Sequence, residues 1–223
     1  GWWLHYLVVL GFLVYLPHSK HLHIFLAFPN VYFEKQVPRG KMENMPVIMN
    51  EVKSMLGMAA DTSATTTDTM QDFGASDVFG LSRLNLLNAY SCTECGRCTA
   101  VCPANLTGKK LSPRKIMMDI RDRADEVGKK IVNGAAANAY DDGKNLFDYI
   151  SKEEIFACTT CNACVEACPV LINPLDPILK LRRYAILSQS DGPADWMPMF
   201  TAMENSGSVW AMSTDRDAWR QDS

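Results

Sequence analysis

Outside two short stretches the chain has no cysteine. All eight of its cysteines fall between Cys92 and Cys168, inside a repeated motif, so none is left over for a disulfide elsewhere. An excess of positive charge is also missing: 22 Lys and Arg face 25 Asp and Glu, for a net charge of -3 and a pI of about 5.8. That balance excludes the basic footprint of a nucleic-acid-binding protein. No phosphate-binding loop and no nucleophile with an acid–base partner is visible, and strand-like alternation is scarce. Long hydrophobic runs are short too. Residues 2–16, WWLHYLVVLGFLVYL, are apolar except for His5, yet fifteen helical residues cover only about 22 Å of a hydrocarbon core of roughly 30 Å. The run lacks the basic start and the small-residue cleavage site of a signal peptide. Because the chain opens at Gly1 inside that run, a processed or truncated polypeptide is expected. Its 223 residues leave room for one domain with appendages or for two small ones.

What is present is a duplication. Residues 92–103, CTECGRCTAVCP, and 158–169, CTTCNACVEACP, both read C-x2-C-x2-C-x3-C-P. Three thiols at intervals of three residues sit on one tight backbone wrap, the pattern that holds an iron–sulfur cube. The fourth cysteine, followed by proline, leaves in another direction, and in two-cluster ferredoxins it ligates the other cluster. On that rule one 4Fe-4S cluster is held by Cys92, Cys95, Cys98 and Cys168, and the other by Cys158, Cys161, Cys164 and Cys102. The two motifs must then lie side by side. Structural zinc also uses C-x2-C pairs, and four disulfides would suit an oxidising compartment. Zinc, however, needs two pairs per site, whereas each motif offers a run of three and a separate Cys-Pro. Neither motif lacks a cysteine, so two four-iron clusters are expected rather than a three-iron variant.

After PHSK at 17–20 the apolar pattern resumes at 22–28. One helix through both stretches would be long enough to span a bilayer, with Pro17 as a tolerated kink. All four histidines, His5, His18, His21 and His23, lie in this segment. At 100° per residue only His23 returns to the face of His5, five turns or about 27 Å further along. An ionisable residue inside a membrane segment marks a functional site, although interfacial histidines near lipid headgroups would show the same spacing. Leu4-His5, Gly11, Pro17, Ser19, Lys20, His23-Ile24 and Pro29 resemble the last transmembrane helix of the nitrate reductase gamma family. The resemblance implies that His5 and His23 are axial ligands of two b-type haems, whose partner ligands sit on an earlier helix without a counterpart in this sequence. It assigns no role to His18 or His21. Between residues 17 and 41, Lys20, Lys35, Arg39 and Lys41 outnumber Glu34. Positive flanks favour the cytoplasmic side, a reducing compartment that disfavours disulfides.

The remainder reads as helices and loops. Met42, Met45, Met49, Val52, Met55, Leu56 and Met58 recur mostly at three or four residues, which predicts an amphipathic helix within 42–60 on a membrane surface, a partner or a core. The Thr-rich stretch 61–69 predicts a linker and a domain boundary. Helices are expected over 80–90, from a Ser112 cap with Pro113 at the first position, after the Ser151–Glu154 capping box, and from Asp176-Pro177 onward. The second of these carries the stripe Ile116, Ile120, Val127 and Ile131, and 133–143 reads as a loop. The expected division is 1–33 as the end of a gamma-like cytochrome b domain, 34–75 as a linker with the Met-rich helix, 76–190 as an α-helical ferredoxin domain, and 191–223 as a partner-docking tail. In that tail Trp196, Met199, Phe200, Met203, Trp210 and Trp219 either pack back on the domain or dock a partner.

A helical insertion between two such motifs separates this chain from the small β-rich ferredoxins. CTECGRCTAVCPA, LSPRKIMMDIRDR and IFACTTCNACVEACPV resemble the α-helical ferredoxin domains found in the iron–sulfur subunits of heterodisulfide reductase, of the anaerobic glycerol-3-phosphate and glycolate oxidases, and of succinate dehydrogenase. They are most similar to the membrane-bound heterodisulfide-reductase-like iron–sulfur oxidoreductases, in which a gamma-like haem domain precedes the ferredoxin domain and a cysteine-rich CCG domain usually follows. The likeness covers 1–33 and about 76–187, while SGSVW at 206–210 departs from the family's Gly-Asn-Pro-Trp. It implies a mainly α fold, a membrane helix followed by an α-helical ferredoxin domain binding two 4Fe-4S clusters. It further implies an electron-transfer subunit of a hetero-oligomeric complex in the cytoplasmic (inner) membrane, with the clusters on the cytoplasmic side. Electrons would pass between a quinone/b-haem site and a CCG-type subunit or other cytoplasmic partner. Arg97, Lys109, Lys110, Arg114 and Lys115 would raise a cluster potential, meet an acidic partner, or form a solvated face. A haem-free ferredoxin-type subunit of a peripheral dehydrogenase and a structural zinc-binding assembly subunit are the alternatives.

Overall fold

In the computed structural model, which describes residues 1–19, 21–34, 38, 41–42, 44–58, 73–134 and 140–210, several helices of the cluster region start at a capping residue. No strand occurs among the described residues. The longest helix, α7 (Pro113–Val132), starts where the Ser112 hydroxyl accepts from the Lys115 amide at 3.4 Å. Its first position is taken by Pro113, which has no amide to satisfy. Pro113, Ile116, Met117, Ile120, Arg123 and Val127 are buried, so the predicted stripe is the core face, with Ile131 packed at its edge. Against it lies α4 (Arg83–Ser91), opened by a reciprocal cap between Ser82 and Asn85. The Ser151–Glu154 box opens α8 (Lys152–Phe156) in the same way. The last core helix, α10 (Leu175–Arg183), begins earlier than the Asp-Pro pair suggested. The side chain of Asn173 accepts from the amides of Leu175 and Asp176 at 3.0 and 3.2 Å. Three one-turn helices, α5 (Arg97–Ala100), α6 (Pro103–Leu106) and α9 (Ala163–Glu166), begin one or two residues after a cysteine of the motifs.

Two contacts lock the entry of the chain into this core. Arg123, 1% exposed, donates to Asp77 at 2.7 Å, to Asp142 at 2.8 Å and to the Lys144 carbonyl at 2.8 Å. A buried charge is tolerated only when it is paired and hydrogen-bonded in this way. The guanidinium, ahead of the Tyr140 hydroxyl and Lys130, holds the Asp142 carboxyl well below the usual carboxylate range. At the other contact Gly74 (φ 113°) runs against the end of α10, and a Cβ there would stand 2.2 Å from the Lys180 carbonyl oxygen. Only glycine permits both that backbone angle and that approach.

The N-terminal segment departs from expectation. Instead of one kinked helix, the chain forms α1 (Trp2–Tyr15) and α2 (Leu22–Phe33), separated by a tight turn at Leu16–His18. Pro17 lacks an amide, the Ser19 hydroxyl donates to the Leu16 carbonyl at 2.9 Å, and Ser19 itself is extended (φ -116°, ψ 167°). Together these end the first helix and redirect the chain. The shared helical face expected for His5 and His23 is therefore absent. Among the described residues no helix is long and apolar enough to cross a membrane. None of α1 is buried, whereas α2 packs on α4. Asn30 is fully buried there and donates to the Val170 carbonyl at 2.9 Å, and Ser91 donates to the Leu26 carbonyl at 3.1 Å.

The Met-rich helix, α3, covers Pro46–Met55, shorter than 42–60. The Thr-rich linker at 61–69 lies outside the described residues, as do 135–139 of the predicted loop and Trp219. In the tail α11 (Met197–Ser206) follows a turn at Ala194–Trp196. Trp196 packs edge-on to Phe156 and Phe200, at 5.4 and 6.4 Å between ring centres. Met203 and Trp210 stay exposed.

Replacing Arg123 by Met should lower the unfolding free energy by roughly 2–4 kcal/mol, somewhat under the full cost of a broken buried pair because the carboxylates keep some water. Gly74→Ala should cost a similar amount through strain and overlap. Thermal melts followed by circular dichroism check both, and a melt like that of the wild type for either variant contradicts the assigned contact.

Candidate iron-sulfur centres

The two motifs share one backbone path. In the first wrap Glu94 (φ 60°) and Gly96 (φ 83°) are left-handed, and in the second the matching residues, Thr160 (φ 56°) and Asn162 (φ 63°), adopt the same turn. Left-handed non-glycine residues cost on the order of 1–3 kcal/mol each and persist where the surroundings over-determine them. These turns curl the chain so that three thiols line one hollow. Each wrap then enters a one-turn helix, and α5 packs against α9, which sets the two motifs side by side.

The result is two cavities. The first is bordered by Cys92, Cys95, Cys98 and Cys168, with Met117, Pro169 and Ile172. The second is bordered by Cys102, Cys158, Cys161 and Cys164, with Leu111, Pro113 and Ile178. The fourth cysteine of each motif thus stands in the other motif's ring, and Cys164 also reaches the first cavity. All eight thiols are free. Among the described residues no three His, Cys, Asp or Glu side chains converge as a single metal ion would require. Zinc draws its sulfurs to about 2.3 Å from one point.

The donor set suits 4Fe-4S clusters on chemical grounds: at least four thiols to a cavity, mostly apolar walls, and amides aimed at sulfur. The Thr160 amide donates to Cys158 Sγ and the Ile172 amide to Cys168 Sγ, both at 3.4 Å, bonds that tune cluster potential. Burial pushes the thiols of Cys92, Cys98 and Cys158 up, and that of Cys164 up to about 12. Metal binding must displace those protons, since the thiolate is the ligand.

Two arginines without any signal in the sequence lie beside the rings. Arg121 bonds Glu94 at 2.9 Å and bears on Cys92. Arg182 bonds the carbonyls of Ile155 and Cys158. Of the basic residues singled out from the sequence, Arg97 and Arg114 border the first cavity. Lys110 pairs with Glu153, and Lys115 with Asp119 and Glu154, which removes those two from any free basic face.

The histidines are divided. His5 is exposed on α1. His18 and His23 line a cleft of about 740 Å³ between the turn after α1 and helices α4 and α7. Its opposite wall includes Cys92, Glu94, Arg121 and Tyr90, whose hydroxyl donates to Asp125 at 2.5 Å. Burial and that carboxylate push the Tyr90 pKa up.

Residues 91–172 match the 4Fe-4S dicluster domain family, the stretch that holds both wraps and α7. The chain is iron–sulfur oxidoreductase-like and carries a 4Fe-4S dicluster domain. It is 32% identical, over 251 aligned positions covering the whole chain, to the "Probable iron-sulfur-binding oxidoreductase FadF" of Bacillus subtilis, and spans 33% of that relative. Against the "EtfAB:quinone oxidoreductase" of Syntrophomonas wolfei it is 27% identical over 237 positions, 98% of this chain and 30% of the relative. It is also 34% identical over 101 positions to one of the subunits of the ferredoxin:CoB-CoM heterodisulfide reductase of Methanosarcina mazei, 45% of this chain and 48% of the relative. The chain thus spans about a third of the length of the first two and about half of the third. No solved structure matches.

The grouping of the thiols predicts that Cys168→Ser removes the cluster of the first wrap and Cys102→Ser that of the second, each lowering bound iron by about half. Electron paramagnetic resonance of the reduced variants checks this. Loss of the second-wrap signal alone in Cys168→Ser contradicts the exchange of fourth ligands.

Proposed function

We propose that this chain relays electrons between a quinone-linked b haem and a redox partner through two 4Fe-4S clusters. Its place would be a hetero-oligomeric complex at the cytoplasmic membrane, with the cluster domain on the cytoplasmic side. The observation that carries this reading is that His23 and Cys92 face one cleft of about 740 Å³. A candidate haem ligand and a candidate cluster ligand therefore border the same space. When bound, the clusters and the haem supply one-electron carriers. The chain's own residues hold them in order: His23 at the cleft, then the ring with Cys92, then the ring with Cys158. His5 is the candidate ligand for a second haem, on the exposed face of α1.

The membrane placement is supported by α1, which exposes Trp2, Trp3, Leu7, Leu13 and Val14 with nothing buried. A helix apolar all round belongs in a core or a bilayer. The quinone is supported by the name of the Syntrophomonas relative. Exposed Met203 and Trp210 are offered as contacts for a CCG-type or other partner. A second reading, a haem-free ferredoxin-type subunit of a peripheral dehydrogenase, is favoured by the break between α1 and α2.

A reduced-minus-oxidised visible spectrum of the detergent-purified complex, with iron and sulfide measured on the same sample, decides between them. A b-haem band above a broad iron–sulfur bleach is expected. A bleach without that band favours the haem-free subunit, and zinc without sulfide overturns both. In the haem-bearing case His23→Ala should abolish one haem signal while leaving both clusters, and His5→Ala should abolish the other.

A further inference from the structure

The two rings differ in the charge held beside them. Next to the first, Arg121 donates to Glu94 at 2.9 Å and to Asp122 at 3.2 Å, so carboxylates offset the guanidinium. Next to the second, Arg182 donates to two backbone carbonyls, that of Ile155 at 2.7 Å and that of Cys158 itself, and lies 5.8 Å from the centre of the Phe156 ring. Among the described residues no carboxylate pairs with Arg182. Carbonyls satisfy its N–H groups without cancelling its charge, and arginine does not lose its proton in proteins. The second ring therefore faces a half-buried, uncompensated cation, while beside the first Arg121 is neutralised and the two other arginines that border its cavity, Arg97 and Arg114, are exposed, so water screens their charge.

Reducing a cluster adds one negative charge to it. A nearby cation that is neither paired nor fully hydrated favours the reduced form, because the surrounding dielectric is low. We propose that Arg182 raises the reduction potential of the second cluster above that of the first, so that an electron entering from the cleft side comes to rest on the cluster away from the cleft. In that step one electron leaves the first cluster, which is oxidised, and joins the second, which is reduced; no proton or bond changes hands. The inference rests on the cluster reading above. It does not depend on the exchange of fourth ligands, because Cys158 belongs to the second cluster under either pairing.

The test is a potentiometric titration of the full-length complex, purified anaerobically, with the two clusters followed by electron paramagnetic resonance and assigned through Cys95→Ser and Cys161→Ser. In Arg182→Gln the oxidised-to-reduced ratio of the second cluster at a fixed ambient potential should rise tenfold or more, a midpoint lower by about 59 mV or more for one electron. The first cluster should not move, and Arg182→Lys should restore most of the change. Glu94→Gln, which leaves Arg121 with Asp122 as its one carboxylate partner, should instead raise the midpoint of the first cluster. With iron and sulfide at wild-type levels, an unmoved second cluster in Arg182→Gln, or equal movement of both, overturns the proposal. If Arg182→Gln does not assemble its clusters, Glu94→Gln decides: a first-cluster midpoint that stays put or falls overturns it. Wild-type protein lacking iron and sulfide would refute the cluster reading instead, a separate result.

Discussion

Each cysteine wrap supplies three thiols to its own cavity and sends its fourth, just ahead of a proline, to border the neighbour's. Neither ring is complete alone, so the wraps must stand in contact, and the rest of this region is arranged to keep them there. Left-handed turns at Glu94, Gly96, Thr160 and Asn162 aim the thiols. The packing of α5 on α9 fixes the separation of the two wraps, and α7 bridges them in sequence while giving Met117 to one cavity and Pro113 to the other. Moving either wrap by a turn would leave thiols pressed into apolar walls without a ligand to share.

Charge is handled differently at three places, and the differences follow from what each guanidinium can reach. Arg123 is enclosed by two aspartates and a carbonyl and acts as a structural tie. Arg121, at the edge of a cleft, finds Glu94 and Asp122. Arg182, between α8 and the second wrap, finds only carbonyl oxygens and a ring face. All three are hydrogen-bonded, yet of these three only Arg182 lacks a carboxylate partner. The field of such a cation acts on reduction potential without touching the carrier.

The N-terminal turn gives the cluster region a second kind of neighbour. Because α2 seats Asn30 and Leu26 against α4 and the loop after Cys168, His23 borders the same cleft as Cys92. In the proposed relay this is where electrons enter, and the exposed apolar surface of α1 is where the chain meets the bilayer or the rest of its complex.

Much of the cluster region was legible in the residues themselves. The doubled cysteine spacing specifies the ligand chemistry, since backbone geometry alone places thiols three apart on one wrap. Ser112-Pro113 and Ser151–Glu154 mark helix starts because capping is local, and the stripe from Ile116 to Val127 marks a core face because helical period is local too. Other features were not legible. Whether Pro17 kinks a helix or ends it depends on the hydrogen bonds Ser19 makes, so the His5–His23 register could not be read from spacing. Apart from Asp122, next to Arg121, the hydrogen-bond partners of Arg121, Arg123 and Arg182 come from distant segments and leave no pattern in the sequence. By itself, then, the sequence pointed to the thiols that would hold the clusters and to most helix starts of the cluster region, because both follow from short-range geometry. Only the tertiary structure decided which thiols border which cavity, which histidines line the cleft beside Cys92 and which half-buried arginine lies by a ring without a carboxylate, because those depend on long-range packing that brings distant side chains within a few ångströms.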